Sequence, residues 1–134
     1  GRQLIQQLIN SDDFQTVTSV GRRPVLEGKS HEKLFDVVID SFSRLKETED
    51  AWKEVDVFFN CIGTTRQKAG GATQFVDVEL GISRMAANMA SEANIPHASV
   101  ISASGANHKA WAVDWIHPLL YTKTIGQKEQ TVIT

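Results

Sequence analysis

Residues 55–62 read V-D-V-F-F-N-C-I and run directly into Gly63-Thr64-Thr65-Arg66. β-Branched and aromatic side chains in a run too short for a helix predict a strand, and Gly63 ends it. The apolar positions are nearly continuous rather than alternating, which predicts a strand buried on both faces, as in parallel sheets. Working outward toward the N-terminus, residues 41–54 mix Phe42, Leu45 and Trp52 with many charges and suit an exposed helix or helical turn. A second apolar run, residues 35–39, closes at Asp40; residues 25–33, polar and containing Gly28, read as loop; and residues 16–20 read as a short strand stopped by Gly21-Arg22-Arg23-Pro24. Toward the C-terminus, residues 75–93 take on helical period in their second half, with Leu80, Ile82, Met85, Ala86 and Met89, and residues 98–101 form another apolar strand before Ser102, Ser104 and Gly105.

Strands separated by helical segments predict right-handed βαβ units. The expected fold is α/β: a Rossmann-like three-layer domain over residues 1–134, with helices on both faces of a parallel sheet. Leu4, Ile5, Leu8 and Ile9 form one helix face almost directly on Gly1, with no N-cap ahead of them, and Asn10 to Asp13 end it. Residues 121–134 read as a helix with nothing to pack on. Both ends therefore read as cuts inside a larger fold.

Composition narrows the function classes. The 134 residues carry 14 Lys and Arg against 16 Asp and Glu, for a net charge of -2, and 41% are hydrophobic. That balance argues against disorder. With a pI near 6.1 and no basic run, a general nucleic-acid binder is not expected, since phosphate neutralisation needs clustered cations. One cysteine supports neither an internal disulfide nor a structural zinc site. No apolar stretch approaches the ~18 residues of a membrane span. The chain reads as cytoplasmic, with mitochondrial or nuclear association as alternatives.

In parallel sheets ligands bind beyond the carboxyl ends of the strands, so the residues there carry the functional reading. Arg22 and Arg23 follow the first strand, where an NAD-binding fold would place an acid for the ribose 2′-hydroxyl. Two guanidiniums would instead accept a 2′-phosphate, or one would stack on adenine; the plain alternative is a solvated pair at a turn. Asp40 offers an acceptor to the adenine amino group, or an N-cap for the next segment. Gly63 lets the backbone pass close to a ligand and Thr64 and Thr65 offer hydroxyls; the alternative is an ordinary glycine loop. Gly70-Gly71 predicts a flexible loop before the helix, and Cys61 reads as a buried small hydrophobe. A Tyr121 hydroxyl protonates a carbonyl if a nearby cation lowers its pKa, with Ser102 holding the substrate oxygen; otherwise Tyr121 is a half-buried packing residue. The cation belongs four residues on, one turn along the same face, and that position is Ile125; Lys123 and Lys128 stand two and seven residues on. The four histidines are scattered, Trp111 and Trp115 read as core or as a helix face over a pocket, and no Ser-His-Asp, Walker or paired-carboxylate motif is present.

F-N-C-I-G-T-T-R-Q-K-A-G-G at residues 59–71, with V-G-R-R at 20–23 and S-A-S-G-A at 102–106, resembles the HIV Tat-interactive protein 2 oxidoreductases, atypical short-chain dehydrogenase/reductases with an NADPH-binding Rossmann fold. The resemblance covers most of the chain apart from residues 107–120. It implies that Arg22 and Arg23 hold the 2′-phosphate, that Ile62 and Gly63 line the cofactor, and that Tyr121 donates the proton with Ser102 at the substrate oxygen. It also implies that the first strand and its G-x-x-G-x-x-G loop precede the chain, Gly1 being that motif's last glycine. The family's active-site lysine is not matched. Two readings follow: an NADPH-dependent oxidoreductase acting on a small-molecule carbonyl substrate, or a cofactor-fold protein that binds a protein partner without the chemistry. An α/β domain without cofactor is a third.

Overall fold

The computed structural model describes residues 1–110 and 120–133, which divide into two compact units, residues 1–53 and 54–134. The tryptophan pair Trp111 and Trp115, with His117 and Pro118, lies outside the described residues.

In the first unit, helix α1 (Arg2–Asn10) buries Ile9 and ends where Ser11 turns extended. Strand β1 (Val17–Gly21) pairs in parallel with β2 (Leu34–Val38), in a register that sets Val17 opposite Leu34 and Gly21 opposite Val38. The connection between them is turns and loop rather than a helix, because residues 22–33 are rich in polar and turn-forming side chains. A 3₁₀ segment (Phe42–Trp52) follows, kinked at Thr48, and buries Leu45 and Trp52. Its inner face is tied by a short relay: the Trp52 indole N–H donates to Thr48 Oγ1 at 3.0 Å, and that hydroxyl donates to the Leu45 carbonyl at 2.6 Å.

In the second unit, β3 (Val57–Asn60) and β4 (His97–Val100) form a parallel pair, Val57 opposite His97 and Asn60 opposite Val100. Between them come α2 (Arg66–Ala69), α3 (Ala72–Val76), a π-helical turn (Asp77–Ile82) and α4 (Ser83–Glu92). This is the expected βαβ crossover, with α4 against β3. Helix α5 (Leu120–Ile133) packs on the π turn and α4. Phe75, 1% exposed, anchors a small core with Ala72 and Leu120.

The chain is thus mixed α/β with parallel strand pairs, a Rossmann-like arrangement. Two expectations change. The strands are only partly buried, Phe35 and Val38 being 57% and 49% exposed, since each described sheet has two strands and little helix against it. The Gly70-Gly71 stretch is a sharp joint between α2 and α3 rather than a loose loop; φ is 93° and 154° there, values that glycine reaches without a Cβ clash.

Candidate functional site

β3 ends because Asn60 turns the chain. Its side-chain Oδ1 accepts the Ile62 N–H at 3.0 Å, an Asx-type turn that takes the backbone out of the ladder at Cys61. Asn60 is buried, and its Nδ2 has no partner among the described residues. The following turn is gripped from two helices. The Thr64 N–H donates to Glu79 Oε1, and Glu79 stands on the π turn. Lys128, on α5, donates from Nζ to the Ile62 carbonyl and to Glu79 Oε2, the latter at 3.2 Å. Glu79 and Lys128 are each 2% exposed. A buried pair loses hydration on both members and persists only where each charge is compensated and hydrogen-bonded, as here. π turns hold an extra residue and recur at functional sites.

Beyond the ends of β3 and β4 lies an open cleft of about 320 Å³, lined by Ile62, Gly63, Thr64, Ser102, Tyr121 and Lys128. The structure therefore brings together five residues singled out from the sequence. Gly63 is exposed and leaves the backbone open. Ser102 donates its hydroxyl to Glu129 Oε1 at 2.5 Å. Tyr121 is 47% exposed, its ring stacked on Phe75 with centroids 5.7 Å apart, and its hydroxyl finds no partner among the described residues. Cys61 is a correction: it lies one residue past the strand, half-buried on the cleft wall rather than inside the core.

Ile125 is buried at 4% exposure and gives the cleft no charge. Two lysines line the cleft, Lys68 and Lys128, the latter standing seven residues past Tyr121. Seven residues is within about 20° of two full helical turns, so its alignment with Tyr121 was available from spacing alone.

The remaining expected residues lie in the first unit. The Arg22 guanidinium sits over the Phe42 ring, 5.5 Å from its centroid, a cation–π contact. Arg22 and Arg23 are exposed, and neither has an acidic partner among the described residues. Asp40 has a basic partner, accepting from Arg44 Nη1 at 3.3 Å. The N-cap alternative for Asp40 is corrected by one residue: Ser41 caps the 3₁₀ segment, accepting from the Ser43 N–H. Among the described residues no three His, Cys, Asp or Glu side chains are grouped to hold a metal ion, and no helix is long and apolar enough to cross a membrane.

A parallel α/β arrangement with a cleft at its strand ends defines a Rossmann-like protein. Over nearly its whole length the chain is similar to HTATIP2-like proteins. It is 34% identical over 134 residues to protein FMP52, mitochondrial, of Debaryomyces hansenii, covering 99% of this chain and 55% of that one. It is 31% identical over 133 residues to protein HTATIP2 of Rattus norvegicus, covering 98% and 51%, and 29% identical over 142 residues to FMP52, mitochondrial, of Candida albicans, covering 99% and 56%. The chain spans about half the length of the curated relatives it matches. No family model matches it.

Proposed function

We propose that the chain is the nucleotide-binding part of an NADPH-dependent oxidoreductase acting on a small carbonyl compound. The observation that carries this reading is the cleft, where a glycine-opened turn, a serine hydroxyl and a tyrosine hydroxyl line one space at the ends of two parallel strands. The residues also fit the cofactor's charged end. Two adjacent guanidiniums without carboxylate partners among the described residues suit a 2′-phosphate, and Phe42 already contacts one of them. Asp40 would accept from the adenine amino group. Ile62, Gly63 and Thr64 would flank the cofactor with backbone and hydroxyl. When bound, NADPH supplies the hydride. Ser102 would hold the substrate oxygen, and Tyr121 would give it the proton from its hydroxyl. The mitochondrial names of the fungal relatives favour a mitochondrial setting over a purely cytoplasmic one.

A second reading, a protein-binding member without turnover, is favoured by Ile125 and by the Ser102 proton being committed to Glu129. Calorimetry tests the cofactor. Arg22→Ala with Arg23→Ala is expected to weaken NADPH by about 1–3 kcal/mol per lost charged hydrogen bond and NADH far less. Equal losses for the two nucleotides would remove the 2′-phosphate role. Tyr121→Phe separates the readings: the enzyme loses carbonyl-dependent NADPH oxidation with binding intact, whereas the binding module shows no turnover before the substitution either.

A further inference from the structure

We propose that Glu79 and Lys128 are a positioning pair, which holds the Ile62–Thr64 turn in the shape the cleft's ligand meets; this rests on the nucleotide-binding reading above. Three side chains converge on the turn. Asn60 Oδ1 takes the Ile62 N–H, Lys128 takes the Ile62 carbonyl, Glu79 takes the Thr64 N–H, and Lys128 closes the circuit onto Glu79. Both polar groups of the peptide framework at Ile62 and the amide at Thr64 are thus fixed from side chains, leaving exposed Gly63 between two clamped residues. The clamp comes from the π turn and α5, elements far apart in sequence, so packing of the helices sets the geometry of the turn.

The charges make the inference specific. An ammonium has three donors, and the two with partners on Lys128 go to Ile62 and Glu79; the third has none among the described residues, although Lys128 borders the cleft. Glu79 neutralises that ammonium, so this end of the cleft presents a donor without net charge. Such a donor suits a neutral oxygen, a hydroxyl or a carbonyl, rather than a phosphate or carboxylate. A purely structural ion pair would serve equally well as two apolar side chains of similar volume, which separates the two roles.

The test compares Glu79→Leu/Lys128→Met with Glu79→Gln/Lys128→Gln in the whole chain. The readouts are thermal unfolding, amide hydrogen exchange at Ile62 and Thr64, and calorimetric titration with NADPH and with adenosine 2′,5′-bisphosphate, which lacks the nicotinamide end. The apolar pair is expected to keep the unfolding midpoint, exchange faster at both amides, and bind NADPH ~10-fold or more weakly with the bisphosphate unchanged. The glutamine pair, which keeps donors and acceptors, is expected to recover exchange protection at Thr64. If E79L/K128M does not fold, K128M measured below its own midpoint replaces it. Parent-like exchange at Ile62 and Thr64 in the apolar variant overturns the proposal. Exchange needs no nucleotide, so a parent chain that binds neither nucleotide would sink the proposed function while the exchange arm still decides the pair.

Discussion

Gly126 lies inside α5, a place where glycine costs about 1 kcal/mol relative to alanine. The reason for its presence is contact: a Cβ built there would come within 2.5 Å of the Asn107 carbonyl carbon and closer still to the His108 nitrogen. The segment after β4 therefore lies directly on the helix backbone, and the obstacle is main chain, which cannot swing aside. Helix propensity alone would make Gly126→Ala stabilising; the crowding reverses the sign. We expect a loss of about 1–3 kcal/mol or more in denaturant unfolding. A gain in midpoint would show that the loop does not press on α5.

Among the elements, the 3₁₀ segment carries a run of exposed ion pairs. Arg44 donates to Glu47 and Asp40, and Lys53 to Asp50 at 2.6 Å. The hydrogen bond from Arg44 holds Glu47 below its ordinary 4.5, and that from Lys53 holds Asp50 below its ordinary 3.8. Both carboxylates bind protons more readily in the unfolded chain. Their support for the segment is complete above about pH 4.5 and drains away as pH falls through the lowered folded values. All these groups are exposed, so the effect is small and salt-sensitive. Amide protection in residues 42–52, corrected for intrinsic rates, is expected to drop on going from about pH 6 to about pH 3, and the drop to shrink at ~0.5 M salt. Unchanged protection would show these pairs to be idle. The elements themselves were largely legible in sequence: β1 through β4 fall within a residue or two of the apolar runs, because β-branched clusters bounded by glycine, proline and aspartate leave little choice. The π turn was not legible, since an extra residue in a helix depends on what the helix packs against and leaves no period of its own.

At the scale of the whole molecule, charge is near balance, so under the proposed function any nucleotide preference would come from local cations. NADPH at a hundredfold excess over its dissociation constant is expected to stabilise the folded chain by ~2.7 kcal/mol. Raising the salt should erode the NADPH shift in melting temperature more than any NADH shift, because only the former answers to an extra phosphate at Arg22 and Arg23. Equal erosion would count against that assignment. The candidate site was legible in part. Arg22, Gly63, Ser102 and Tyr121 follow strand ends or a helix start and stand out from local pattern, whereas Glu79 and Lys128 gain meaning only when helices far apart in sequence meet. The wide turn at residues 77–82 carries this further. A π turn is an α-helix with a single spare residue, so deleting Gly81 would let the stretch relax to ordinary pitch while α3 and α4 keep their inward faces. Such a shortened chain is expected to keep its scaffold while losing the grip of Glu79 on the Thr64 amide, so that one codon separates a held turn from a released one.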